Sequence, residues 1–594
     1  MANSNSGPIW EVDGQTEWSA GVNSGQTPTI ASDNFPHGLK RNALAFLGNG
    51  TVRGGQISPR NGFQPLVQGV NWSGLFQGAY MYEPDGGDPY IMMGVGGRTY
   101  QVRVDLDNSV KDVTTAATLR SLSQPQWWMK QGEQFLVIQD NFAEPNVWDG
   151  SKLQKISAMI NTLGVPTLPR GTAMDYFMGR FWVCTGTREY IGGDIVRGPS
   201  GTAAYGFRDS ILFQSENTYL AGGGAFVVPT NAGIIRAIAH TAELDTALGQ
   251  GRLYVFTRNS IYALNVPVDR TTWAAATINK LPLQTVAQIK FGAVGDRSVV
   301  AVNGDLFYQT LEPGIRSLTL AVRYFTQWGN VGISRNENRV LQLNDRSLLR
   351  LSSGIEFNNR LLQTCLPFQT AVGVAHRGII PLDFDIISSL DEKLPPAWEG
   401  MMEGLQFLQL VEGDFGGRQR AFAIVLGEVS GQIEVWEITS TEIGDNGDNR
   451  ITYWFETPAY TWGDMFQLKK LVSAELWADQ IFGTVDFTVE YRVDQSPCWI
   501  LWHKWQVCAA RDCREDPDVP CGYPIQPFCP QNRSSMALPV PPSQCDPNNI
   551  RPSDIGYQFQ CRITIKGTAT VRGFLIYAEK RVREPYEGIV CAKV

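Results

Sequence analysis

Eight of the ten cysteines fall between positions 498 and 591: Cys498, Cys508, Cys513, Cys521, Cys529, Cys545, Cys561 and Cys591. Cys184 and Cys365 stand alone in the body of the chain. Thiols crowded around a Pro-rich stretch, 497–554, offer two chemistries, cystine cross-links or thiolate ligation of zinc. The spacing contains no Cys-x-x-Cys pair, which structural zinc sites usually supply, although His503 is near. Disulfides are the expectation, because a loop poor in core-forming residues needs cross-links to hold one shape in an oxidising medium. The connectivity stays open, and so does the alternative of reduced thiols.

Acid–base chemistry has candidates but no motif. A glycosidase-like carboxylate pair is conceivable among Asp175, Glu189, Asp383 and Asp385. Scattered acids are expected, however, in a chain with 58 Asp and Glu. The four histidines, His37, His240, His376 and His503, sit in no Gly-x-Ser-x-Gly or His-Glu-x-x-His context. The segment 444–450 offers oxygen ligands but lacks the spacing and closing Glu of a calcium loop, so an Asx-type hairpin turn is expected there. Gly192-Gly193 and Gly222-Gly223-Gly224 have no P-loop Lys-Ser/Thr beside them. No catalytic, cofactor-binding or metal-binding residue is assigned, no cofactor is expected, and the chain is expected not to be an enzyme. Trp127, Trp128, Trp499, Trp502 and Trp505 would make a sugar platform if exposed; interior packing and subunit contact are the expectation for such large aromatics.

The elements that must position these residues are strands. Hydrophobic residues make up 43% and charged residues 18% of 594, with aromatics at 11%, a balance that suits a folded, strand-rich chain of two or three domains. Sixty Gly and 33 Pro are spread along the chain as turn residues. The net charge of −8 is the wrong sign for gripping a phosphate backbone. The first residues lack a basic-then-apolar leader, and no run approaches the apolar length that crosses a bilayer, so a soluble chain made in the cytosol is expected.

Residues 1–65 read as a polar arm followed by hairpins, with turn signals at Asn49-Gly50 and Gly54-Gly55. A two-strand unit then recurs at 90–104, 134–156, 180–195, 252–266, 298–309, 339–351 and 420–438. Starts at 134, 180, 252, 298 and 339 differ by 46, 72, 46 and 41, the period of propeller blades with one insertion, near 190–225. Helices are scarce; 234–248 is the best candidate and reads equally well as a strand and loop. The expectation is a mainly β chain: a β-propeller body over 66–450 and a C-terminal β-sandwich over 451–594, the latter carrying the Cys-rich insertion 497–554 as a loop.

Three stretches stand out: 42–66 with its Arg60-Asn61-Gly62 turn, 359–367 followed by 376–384, and 489–499 with 557–577. They resemble the tail nozzle (tail tubular) proteins of short-tailed bacteriophages and related tailed-phage virion proteins. What the resemblance implies is a virion structural protein, assembled in the host cytoplasm into a ring, hexameric by that likeness. The ring would surround an axial channel for genome ejection. Its partners would be its own copies, adaptor and fibre proteins, and DNA in transit, with no membrane-spanning segment. An excess of Asp and Glu would let DNA pass without sticking. The alternative is a receptor- or carbohydrate-binding propeller of a tail fibre or baseplate.

Overall fold

Runs of aromatic and β-branched residues, cut by Gly, Asn and Asp turns, become a succession of small antiparallel meanders. The computed structural model describes residues 10–581 except 33–34, 106, 160–164, 196–208, 215–225, 242–250, 268–283, 313, 320–331, 386–395, 440–443, 447–448, 509–533 and 544–551. Five separate sheets of three or four strands follow in chain order, with first strands Phe76–Tyr82, Trp128–Gly132, Met174–Phe177, Ile235–His240 and Val299–Val302. An eight-stranded sheet contributes two further meanders, starting at Gly354–Phe357 and Gln406–Asp414 and joined through the single pair His376↔Phe407. These seven first strands neighbour one another around an axis, with the turn Asp296–Ser298 between the fourth and fifth. Gln406–Asp414 lies against Phe76–Tyr82 and closes the ring, Gln409 bonding both Ala79 N (3.0 Å) and Ala79 O (2.7 Å). The body is a β-propeller.

Closure also uses the N-terminal segment. Phe63–Val67 pairs with Ile433–Ile438 and supplies the outer strand of the last blade. Arg60 fixes where it enters. Its side chain is 1% exposed, lies 3.9 Å over the Phe63 ring, and donates to Asp445 (2.8 Å to each oxygen), Asn49 Oδ1, Asn61 O and Glu403 O. Gly62 follows because a Cβ there would meet Gly444 O at 1.8 Å. The Arg-x-Gly turn is therefore a joint.

His376 ties the two meanders of the large sheet. It is fully buried, its Nδ1 is 3.1 Å from Phe407 O and its Nε2 3.3 Å from Ser352 Oγ. Burial lowers the imidazole to about 4, so the ring is neutral, with Nδ1–H donating to the carbonyl.

The C-terminal domain is a sandwich built on two long strands, Lys469–Val493 and Phe559–Lys580, paired antiparallel with bulges between residues 477 and 486. One half is flanked by Trp10–Gln15 and, on the other side, by Ser534–Leu538 and Ile555–Gly556. The other half is flanked by Thr452–Glu456 and Ile500–Cys508. The halves enclose one core: Trp462 packs edge-on against Phe559 in one, while its indole N–H donates to Ile576 O in the other.

Three expectations change. Residues 339–351 form the helix Asn338–Leu341 and the 3-10 turn Leu349–Leu351 in place of a blade unit. In a strand Leu341 and Leu343 would share a face, yet Leu341 is 2% and Leu343 74% exposed; Asp345 closes an Asx turn onto Ser347 instead. The stretch 497–554, expected to be a loop, supplies two strands, because Ile500, Trp502, Trp505 and Val507 all reach the sandwich core. Residues 1–65, expected as an arm and hairpins, feed both domains: Trp10–Gln15 completes the sandwich and Phe63–Val67 the propeller. The helix candidate 234–248 begins as the strand Ile235–His240.

Replacing Arg60 by Met removes the guanidinium partner of Asp445 and a donor from Asn49 Oδ1, Asn61 O and Glu403 O, and is expected to cost about 3 kcal/mol in urea unfolding. Arg60→Lys should recover less than half of the loss, since an ammonium cannot reproduce the fork; full recovery would contradict this role.

Candidate functional site

The seven first strands run in one direction and surround a cavity of about 1010 Å³. At its N-terminal end Arg297 donates to Gln77 O (2.8 Å) and Trp127 O (3.1 Å), tying the first two blades together. Gln126 donates to Asp296 there (2.9 Å), and Ser353 Oγ accepts from Leu410 N (2.9 Å). The other end is a mouth lined by the C-terminal residues of the strands. The cavity is a polar cup.

One wall of the mouth carries Lys130, Asp175 and His240, from the second, third and fourth blades. Asp175 is 1% exposed and uses both oxygens: Oδ1 lies 2.8 Å from Lys130 Nζ and Oδ2 2.6 Å from His240 Nδ1. The His240 ring stacks on Phe177 at 4.9 Å and its side chain stays 38% exposed. With Nδ1 directed at the carboxylate, Nε2 is the ring nitrogen left for other contacts. Burial works to raise the Asp175 carboxyl, but Lys130 and His240 outweigh it and hold it below its ordinary value. Burial works equally against the Lys130 ammonium, and Asp175 reverses that, raising it.

The opposite wall is acidic. Glu83, Glu356, Glu412 and Asp414 come from the first, sixth and seventh blades, and the whole lining holds seven carboxylates against Lys130 and Arg297. Burial, reinforced by the charges of Glu356 and Glu83, pushes the Glu412 carboxyl up to about 8. A histidine backed by a buried carboxylate is an acid–base arrangement. The serine of the lining, Ser353, is bonded to backbone at the far end of the cup.

Of the carboxylates singled out in the sequence, only Asp175 lines this cup. Asp383 accepts from Arg53 (2.7 and 2.9 Å), Asp385 lies 3.6 Å from the same arginine, and Glu189 sits exposed on the outer part of the third blade. The strand pair Gly444–Asp445 and Asn449–Arg450 is a hairpin, and Asp445 serves Arg60. Lys130 and His240 were not singled out. The recurring units marked in the sequence mostly begin at the second strand of each blade, because first strands such as Trp128–Gly132 mix polar and apolar residues without a clean alternation.

The cysteine cluster divides. Cys561 lies in Phe559–Lys580, beyond the loop, as a free thiol fully buried in the sandwich core and raised by that burial. Cys498 is exposed and unpaired. The side chain of Cys508, together with Cys513, Cys521, Cys529, Cys545 and Cys591, lies outside the described residues. The tryptophans pack. Trp127 is 1% exposed against Gly94, Trp502 donates to Pro539 O, Trp505 stacks on Phe487 at 5.0 Å, and Trp499 lies against the guanidinium groups of Arg492 (4.4 Å) and Arg562 (4.2 Å). Trp128 is half-buried between two blades. Among the described residues no group of three or more His, Cys, Asp or Glu is placed to hold a metal ion, and no helix is long and apolar enough to cross a membrane.

No family model matches the sequence, and no curated protein matches it. Solved structures similar to it include BBS1N in complex with ARL6DN, at 11% identity and TM-score 0.31 over 64% of this chain and 98% of that one. Virginiamycin B lyase from Staphylococcus aureus is similar at 10% identity and TM-score 0.31, over 61% and 94%. At those scores the shared geometry is too slight to bear on activity.

The raised Glu412 carboxyl sets a pH dependence. Between about 4.5 and 8 the folded state keeps a proton that the unfolded chain has lost, so its contribution is full below 4.5 and disappears as pH rises through 8. Glu412→Gln is expected to melt like the parent at pH 4 and at least about 2 °C higher at pH 8.5. An equal difference at both values in a thermal scan would refute the assignment.

Proposed function

We propose that this chain is a structural protein of a tailed-phage virion, acting without covalent chemistry as one copy in a tail ring whose axial channel lets the genome leave. The observation that carries the proposal is the order of parts. A hairpin with an Arg-x-Gly turn, a propeller containing the 359–384 hairpin, and a sandwich with a Cys-rich excursion succeed one another as the sequence resemblance implies. The tight joining of propeller and sandwich supports it as well, since a ring subunit must transmit load between neighbours above and below. The cup of one propeller is too small to admit duplex DNA. The conduit in this proposal therefore runs between copies, where surplus acidic charge keeps phosphate from sticking.

Negative-stain images and sedimentation of the purified chain test this directly. Closed rings, six-fold by the resemblance, are expected, with DNA retention that is weak and nearly independent of salt. A persistent monomer, or DNA held with a steep salt slope, would contradict it.

A further inference from the structure

We propose that the central cup of the propeller binds a neutral, hydroxyl-rich ligand, a saccharide of one or two rings, held between Lys130 and His240 on one wall and Glu356, Glu412 and Asp414 on the other. The site belongs to a single copy and is independent of whether copies close into a ring.

Volume sets the first bound. About 1010 Å³ lies at the upper end of small-ligand pockets and exceeds the need of a lone ion. Polarity sets the second. An apolar occupant would strip water from carboxylates and an ammonium while offering no hydrogen bonds in return. An anion would face seven carboxylates, and a small cation would share the cup with Lys130 and Arg297.

What the walls offer is an interleaved set of donors and acceptors. Lys130 donates, the carboxylates accept and the His240 ring presents Nε2, while the amides of Gln131 and Gln419 are already bonded to backbone and to Glu412 and brace the rim. Vicinal hydroxyls, each donating once and accepting twice, are the ligand chemistry that uses such a set. The raised Glu412 carboxyl adds a donor near neutral pH and lessens the charge of its wall.

The site is also pre-organised. Asp175 pins Lys130 and His240 from behind, at 2.8 and 2.6 Å, and Phe177 supports the imidazole face, so little side-chain entropy is lost on binding. Tyr80 and Met129 contribute less polar surface to the lining, on which the C–H face of a sugar ring can lie.

Calorimetric titration with glucose, galactose, N-acetylglucosamine, maltose and lactose, with spermidine as a cationic comparison, tests the proposal on the full chain. At least one sugar is expected to bind with Kd at or below about 1 mM. His240→Gln, which keeps an N–H for Asp175, and Asp414→Asn, at an exposed position of the mouth, should each weaken it at least tenfold. Should His240→Gln fail to fold by circular dichroism, Asp414→Asn carries the comparison. Absence of sugar binding, binding of spermidine alone, or sugar affinity unchanged in the folded variants would overturn it.

Discussion

Buried carboxylates, each answered by arginine, hold the propeller and the sandwich in one arrangement. Glu456, 1% exposed in the sandwich strand Thr452–Glu456, accepts from Arg562 of the sandwich (2.8 Å) and from Arg339 of the propeller's short helix (2.9 Å). Arg339 also lies 4.7 Å over Phe46, which stacks on Trp454. Glu399, wholly buried beside the sixth blade, accepts from Arg360 (2.7 Å) and from Val52 N (3.2 Å) of the N-terminal segment, while Asp383 takes Arg53. Charges taken out of water are tolerable only when each is paired and hydrogen-bonded, so moving one domain against the other would strand several at once. The N-terminal segment reinforces this by giving one strand to each domain.

The cup follows from that closure. Seven first strands meeting about an axis leave a space that their side chains do not fill, and polar residues can face it because its mouth, where Glu83 and Asp414 are exposed, is open to solvent. Lys130, Asp175 and His240 come from three successive blades and are far apart in sequence; the packing of neighbouring first strands brings them together. Their mutual compensation makes a buried Asp175 charge stable, whereas on the opposite wall Glu412, with acids for neighbours, holds its proton instead.

The fold class was legible because turn residues and short apolar runs repeat at blade spacing, and because the texture changes near residue 451, where long alternating strands begin. The cup was not. Hydrophobic patterning marks strands buried on both faces, such as Phe135–Gln139 and Arg180–Cys184, and passes over first strands whose side chains look partly into solvent. Trp10–Gln15 looked like an arm since six residues carry too little pattern to reveal a partner more than five hundred positions away. The paired leucines of 339–351 mimicked a strand until packing separated Leu341 from Leu343. Cys561 was counted with the cysteine-rich region by sequence distance, and its place in the alternating run 559–565 is that of a core residue.

Differential scanning calorimetry of the whole chain tests the claim that propeller and sandwich form one welded body. The account predicts a single cooperative transition in the parent protein and separation into two when Glu456→Gln and Glu399→Gln are combined. Two independent transitions in the parent, with the sandwich melting apart from an intact propeller, would contradict it.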